Sequence, residues 1–474
     1  MVQRPRYATL SHCWGKIDFI KLTTKTLQDF LKDTPEKQLT RTFQDAIQIT
    51  RGLGIQYIWI DSMCIIQDST KDWAIESRLM GGIYSGSTVN ISAADASNGH
   101  GGCFLDDSVE RDRVAFRYGV DLETQNGNKV YEFVPETLYR DCTLSTHIAS
   151  RAWVLQERLL APRTLHFSKT DIFWECREKD ACGLYPEGLP KEICNNYDHR
   201  QKIGLHKIWP TIIGWYSKTD LTYSSDKLVA LSGLAITVQR ATEDVYLAGM
   251  WRTNLEAQLL WARNNGPRYQ PRPQIYQAPT WSWASINGGV TIPDIWLENE
   301  SWYVHIIDAI VTPAHSMGQV DGGKLVLRYT HLLQTAVSHH SGPKDGVILR
   351  EGRKIITNYE AITFETGMSI DRIMWDCDET HEGVFYFLPI SHVQDRRTAP
   401  HIRGLVLRKE EGVFDKYYRV GNFEFWPPSK SDPITAYGEI LCAMEKAEEL
   451  TPRSDYIGVE EARVLREKCQ IVIY

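Results

Sequence analysis

Three short clusters in the first eighty residues carry side chains able to do chemistry. Ser11-His12-Cys13-Trp14-Gly15 brings a hydroxyl, an imidazole, a thiol and an indole into one run. Asp61-Ser62-Met63-Cys64 adds a carboxylate, a hydroxyl and a second thiol. Asp72-Trp73-Ala74-Ile75-Glu76 sets two carboxylates one helical turn apart with an indole between them. At 100° per residue, Glu76 falls among Trp73, Met80 and Ile83 on an apolar stripe. A carboxylate there is costly unless paired or used, and desolvation would raise its pKa. That makes Glu76 a candidate acid, base or electrostatic stabiliser. The competing readings are a buried ion pair with Arg41 or Arg151, and an edge position that reaches water. His12 reads as a general base or as a satisfied core histidine, and Asp61 as a site carboxylate or as the cap of an Asx-turn. Cys13 and Cys64 are either nucleophiles with His12 as base or, more ordinarily, inert buried thiols.

The flanking pattern supplies elements to position these groups. Tyr7 to Cys13 reads as a strand, and Ile55 to Ile60 as a strand buried on both faces. Thr88 to Ala94 reads as a third. Between them, Phe43, Ala46, Ile47, Thr50 and Leu53 fall at helical spacing, with Gly54 as a C′ residue. Ser69-x-x-Asp72 opens a second helix, roughly Lys71 to Tyr84. Alternating strand and helix predicts a parallel sheet with crossover helices, with the polar clusters at the carboxyl ends of its strands, where such sheets bind ligands. A polar insertion is expected near 106–147, a helix over Ser150 to Leu160, short strands at Thr164–Phe167 and Asp171–Glu175, and a linker over 178–210. Beyond it, helical stretches at Asp226–Gln239 and Asn254–Arg263 give way to strand-like runs at Tyr303–Val311, Lys324–Tyr329, Gly383–Leu388, Gly404–Leu407 and Gln470–Tyr474.

Composition bounds the function. The chain has 474 residues, is 42% hydrophobic and 24% charged, and carries a formal charge of −7. That excludes a disordered chain and argues against a general nucleic-acid binder. No apolar run is long enough for a membrane span, and the N-terminus lacks a signal-peptide core. Ten scattered cysteines do not make a disulfide framework, so a reduced, cytoplasmic protein is expected. Cys176, Cys182, Cys194 and His199 could frame zinc but contain no Cys-x-x-Cys pair, so no metal is expected. Gly52-x-Gly54 is not a dinucleotide fingerprint, because the third glycine is missing. Fifteen tryptophans read mainly as large core anchors.

The same clusters carry a family resemblance. Tyr7-Ala-Thr-Leu-Ser-His-Cys-Trp-Gly15 resembles the opening motif of the fungal heterokaryon-incompatibility (HET) domain. Tyr57-Ile-Trp-Ile-Asp-Ser-Met-Cys-Ile-Ile-Gln67 resembles its second block. Asp72-Trp73, Glu76, Met80 and Ile83-Tyr84 resemble its third, and Ser150-Arg-Ala-Trp-Val-Leu-Gln-Glu-Arg158 its fourth. Later stretches, among them Tyr246-Leu-Ala-Gly-x-Trp251 and Trp281-Ser-Trp-Ala-Ser285, resemble long members of the family, so the likeness runs over about residues 5–290. Only six residues precede Tyr7, where many such proteins carry a long segment; this reads as a short or truncated member.

The resemblance implies a part in fungal non-self recognition and cell death, and distant kinship with TIR domains. It implies a flavodoxin/TIR-like parallel sheet over residues 1–177, followed by an α+β or mostly β domain over 178–474. Several TIR domains cleave NAD with a helical glutamate that follows an Asp-Trp pair, and Asp72-Trp73-Ala-Ile-Glu76 is similar. By that analogy Glu76 would stabilise the ribosyl cation. Trp14 or Trp73 would stack on a substrate ring, and Ser11, His12, Asp61 and Ser62 would hydrogen-bond ribose or phosphate. NAD would be a substrate rather than a cofactor, and self-association the switch. A non-enzymatic assembly module, or a HET-fold enzyme recruited to a fungal biosynthetic pathway, are the alternatives.

Overall fold

The computed structural model describes residues 5–104, 120–124, 127–131, 136–169, 171–190, 204–264, 270–293, 300–313, 318–329, 332–339, 347–349, 360–363, 369–377, 383–393, 401–410, 412–413, 416–425 and 470–474. They form two compact units. Unit 1 takes Met1–Ile208, Thr219–Thr222 and Val229–Arg240, and unit 2 takes Trp209–Lys218, Tyr223–Leu228 and Ala241–Tyr474.

The first three strands of unit 1 are β1 (Tyr7–Ser11), β2 (Tyr57–Trp59) and β3 (Val89–Ser92). A separate hairpin follows, β4 (Val120–Thr124) with β5 (Gly127–Tyr131). Strands β6 (Arg163–Phe167), β7 (Ile172–Cys176) and β8 (Asp180–Cys182) complete a six-stranded sheet in the order β2-β1-β3-β6-β7-β8. The pairs from β2 through β6 are parallel, and those from β6 through β8 are antiparallel. All four residues of β3 are buried, as a central strand requires. Tyr57 of the outer strand β2 is exposed. The register sets Thr9 beside Asn90 and Ser11 beside Ser92, so the last residues of β1 and β3 share one end of the sheet.

Besides the short turns Leu27–Phe30 and Gly204–Lys207, the helices are α1 (Arg41–Gly52), the single turn α2 (Asp61–Cys64), α3 (Thr70–Gly86), α4 (Leu138–Thr143), α5 (Ala152–Leu160) and α6 (Ser232–Thr242). Helix α1 buries Phe43, Ala46 and Ile49 against Ala8, Leu10, Val89 and Ile91. Each such large apolar side chain contributes about 1.5–3 kcal/mol. Gly54 ends this crossover at φ +66°, a conformation that favours glycine. Ser69 caps α3 by accepting from the Asp72 N–H at 3.2 Å. Helices α3 and α6 touch at bare backbone: a Cβ on Gly81 would lie 2.8 Å from Gly233 Cα. The Gly233 N–H donates to Gln156 Oε1 of α5 at 3.2 Å.

Unit 2 is β-rich. Its large sheet has eleven strands among the described residues. Strand Gln470–Ile473 runs parallel to Lys416–Phe425 and antiparallel to Val320–Tyr329. Tryptophans fill much of the remaining core. Trp209 and Trp283 both donate their indole N–H to Gly249 O at 3.0 Å, and Trp261 donates to Trp281 O at 2.8 Å. Trp209, Trp261 and Trp283 are thus core anchors with a satisfied indole edge, whereas the indole nitrogens of Trp251 and Trp281 are buried without a partner. Arg419, fully buried, is held by Asp376 through Nε at 3.0 Å and Nη2 at 3.1 Å.

The strand–helix alternation expected over the first hundred residues is present, and the later strand-like runs are strands. Four local readings differ. The strand expected to be buried on both faces, Ile55 to Ile60, is the outer strand β2, with Tyr57 exposed and Ile58 and Trp59 only partly buried because nothing pairs with its far edge among the described residues. The span 178–210, expected as a linker, contributes β8, whose pairing with β7 gives its backbone groups partners. The helix expected over Asn254–Arg263 is one turn, Leu255–Gln258. Asn254 adopts φ +54°, and Ala262–Arg263 is drawn into a ladder with Val290–Thr291. The helix expected from Asp226 starts at Ser232, after a separate 3₁₀ turn at Ser224–Asp226. Of the expected insertion, β4, β5, α4 and nearby turns are described. Cys194 and His199 lie outside the described residues. No helix among the described residues is long and apolar enough to cross a membrane.

Candidate functional site

Strands β1 and β2 end beside one another, and their next residues turn inward. Thr9 donates to Asn90 Oδ1 at 3.0 Å, and Asn90 Nδ2 donates to Ser11 Oγ at 3.0 Å. Ser11 in turn donates to the Glu157 carboxylate of α5. This chain of polar side chains runs from the middle of the sheet to its carboxyl rim, all of it buried. Burial, the dominant influence, pushes the Glu157 carboxyl up to about 7, against the opposing pull of Ser11 and Arg151. Such a group exchanges a proton near neutral pH.

His12 is the next residue along. Its ring packs edge-on against Phe43 at 4.9 Å, and burial lowers its pKa although Asp61 opposes the shift. The imidazole is therefore neutral at pH 7, with Nε2 3.7 Å from Asp61 Oδ1. That distance is beyond a hydrogen bond, and Nε2 is buried with no partner. Asp61 is engaged instead by Trp14 Nε1 at 3.0 Å and by the backbone N–H of Ser62 at 2.6 Å. The bond to Ser62 runs to the next residue rather than the one after it, so Asp61 does not form the expected Asx-turn. Ser62 Oγ is also buried without a partner.

Arg151, at the N-cap of α5, donates to the carbonyl of His12. Its guanidinium also faces Cys13, whose thiol burial pushes upward. Burial likewise raises Cys64, and the carboxylates of Asp61 and Glu76 raise it further. Both thiols are therefore held protonated, the inert reading of the two.

Glu76 stands one turn beyond Asp72 on α3. The buried face of this helix is Ser77, Met80 and Tyr84, so Glu76 borders the stripe rather than occupying its centre, and it is half-buried. Partial burial, with the Asp72 charge adding to it, raises its pKa. Among the described residues no cation lies within ion-pair range of it. The guanidinium of Arg151 is spent on His12, and that of Arg41 on Phe104 O at 3.4 Å. Asp72 itself accepts from the Ile66 N–H at 2.8 Å and serves to close the loop before the helix. Trp73 meets Trp153 of α5 edge-on, with centroids 6.4 Å apart.

The structure therefore gathers Ser11, His12, Trp14, Asp61 and Ser62 into one cluster. Glu76 is linked to it through Cys64, which feels the charges of both Asp61 and Glu76, while Trp73 packs on α5. Glu157, Tyr84 and Asn90 were not picked from sequence as site residues, and Arg151 only as a possible ion-pair partner of Glu76. Tyr84 closes the cluster from α3 by donating to Leu10 O at 3.2 Å. The available signal was Glu157 and Arg158, two charges in the otherwise apolar run from Ala152 to Leu160.

Comparison with known proteins bears on the same stretch. Residues 7–157 match the family model described as Heterokaryon incompatibility protein (HET), a span that opens with β1 and closes at Glu157. No curated protein and no solved structure matches the chain.

Proposed function

Given that residues 7–157 are a heterokaryon-incompatibility domain, we propose that the domain cleaves the nicotinamide–ribose bond of NAD as an effector of fungal non-self recognition. The observation that carries this reading is Glu76: a half-buried carboxylate, raised by desolvation, with no cation in ion-pair range among the described residues. The strand order supports the reading as well. Chain reversal between β1 and β3 makes a switch point at the carboxyl rim, where open sheets of this kind bind nucleotides and where Ser11 and His12 lie.

The chemistry follows from the bond. The C–N electron pair leaves with nicotinamide, which departs neutral, and C1 of the ribose becomes an oxocarbenium centre. Ionised Glu76 stabilises that centre. Water then adds to C1 and releases a proton, so NAD and water give ADP-ribose, nicotinamide and H⁺. No separate acid is needed for so good a leaving group. Trp14 or Trp73 offers a face for ring stacking, and Asp61, released from Trp14, accepts from a ribose hydroxyl. Assembly of copies is the switch that opens the Trp14–Asp61 contact.

The test is NAD consumption by the purified full chain at high protein concentration, read by separating nicotinamide from NAD. The expected results are turnover that rises more steeply than protein concentration and its loss by at least about 100-fold in Glu76→Gln with an unchanged melting temperature. Absence of turnover at every concentration, or undiminished turnover in Glu76→Gln, would overturn it. A second reading gives the chemistry to Glu157, because its carboxyl exchanges a proton near pH 7 and touches the Ser11 hydroxyl. In that case Glu157→Gln, rather than Glu76→Gln, abolishes turnover.

A further inference from the structure

Unit 2 contains a cavity of about 540 Å³, inside the range of about 300–1,000 Å³ usual for small-molecule sites. Its wall is laid out by strand geometry. Lys416, Tyr418 and Val420 alternate along strand Lys416–Phe425 and so face one side, and Arg408 is the cross-strand partner of Tyr418. Arg272, Tyr276 and Gln277 come from the segment before Trp281, and Gly322 and Gly323 from strand Val320–Tyr329. The close approach of that segment depends on glycine, since a Cβ on Gly323 would lie 2.5 Å from Pro279.

The lining is charged in one sense. It includes Arg272, Arg408, Lys416 and Arg419 and no Asp or Glu, although Glu410 pairs with Lys416 and Asp321 acts on Tyr276 from beside the wall. Arg419 is committed to Asp376 behind the wall, and Arg272 donates to Arg419 O at 3.2 Å. Lys416 pairs with Glu410 at 2.6 Å, leaving its ammonium further donor capacity, and lies 4.7 Å above the Tyr474 ring. Arg408 is exposed at the mouth. Aromatic surface comes from Tyr276, half exposed, and from Tyr418 and Tyr474.

We propose that this cavity is a binding site for a small molecule that joins an oxyanion, carboxylate or phosphate, to a planar ring. Arg408 and Lys416 take the oxyanion by charge-assisted hydrogen bonds, Lys416 through the donor capacity that Glu410 leaves it. Tyr276 covers the ring. The site lies wholly within unit 2 and does not depend on the NAD reading of unit 1.

Calorimetric titration of the full chain with phenyl phosphate tests it, with orthophosphate supplying the oxyanion alone and phenol the ring alone. The expected result is one saturable site of millimolar Kd or tighter for phenyl phosphate, with weaker binding of either fragment. Arg408→Gln and Lys416→Gln each weaken it by about tenfold or more, while Glu76→Gln leaves it unchanged. Both cationic positions are on the wall rather than in the core, so melting temperatures should hold. No saturable binding, or equal affinity in wild type and both cationic variants, would overturn the proposal. Binding of orthophosphate as tight as that of phenyl phosphate would overturn the ring component.

Discussion

Glu157 and Glu175 are both buried in unit 1, and their surroundings differ in kind. Glu175 on β7 accepts from Arg158 Nε at 2.8 Å, from Arg158 Nη2 at 2.7 Å and from the Tyr139 hydroxyl at 2.9 Å, and it contacts His166 Nε2 at 2.9 Å. Glu157 accepts from the Ser11 hydroxyl, its proton affinity raised by burial to about 7. The two clusters are fed by one helix, because consecutive residues Glu157 and Arg158 leave α5 on different sides. A carboxylate with a bidentate guanidinium is fixed in charge and serves as scaffold. One supported by a hydroxyl keeps a choice of protonation state, which is what a site needs.

The largest effect should come from breaking the scaffold cluster. Glu175→Ala leaves Arg158 buried without its carboxylate and is expected to cost about 3–5 kcal/mol in urea unfolding. A loss under about 1 kcal/mol would erase the distinction between the two clusters.

The second effect is a pH slope. Glu157 binds its proton more tightly folded than unfolded, moving from 4.5 to about 7. Its contribution to stability is therefore fully present below pH 4.5 and is lost as pH rises through 7. The loss is about 3 kcal/mol. Glu157→Gln should remove that slope, so the difference in stability between variant and wild type should grow between pH 4.5 and 7. A difference that stays constant over that window would show that Glu157 does not hold its proton.

Smaller effects follow at the rim. Trp14→Phe deletes the indole N–H that engages Asp61 and should lower stability by about 1 kcal/mol, read as melting temperature. Glu76→Gln should change stability by less than about 0.5 kcal/mol, because no cation is left unpaired. A large loss there would move Glu76 to the scaffold side of the comparison.

Much of unit 1 was legible because its strands and helices alternate with distinct periods. Thr88–Ala94 could be read as a strand from its apolar run, and α3 from its Ser69 cap. The five gathered residues, Ser11 among them, lie at or just beyond the ends of β1 and β2, where the pattern already pointed. Glu157 was harder to read, because every residue of α5 except Trp153 is buried, the helix shows no polar face, and only the adjacent charges Glu157 and Arg158 mark it. Glu76 was misplaced by a fraction of a turn, which a fixed 100° step cannot resolve. The unit 2 cavity is assembled from Arg272, Gly322, Arg408 and Lys416, and sequence spacing carries no trace of that convergence.

The bare glycine crossing of α3 and α6 bears on how such a domain travels through evolution. The stretch that matches the family ends at Glu157, but the helix that seals Gly81 begins at Ser232, and Ala152 N–H donates to Asp220 O at 3.1 Å. A gene fusion that copied only the matching stretch would inherit an open seam along one helix. The domain here is not a portable cassette; its closure is written some seventy residues downstream.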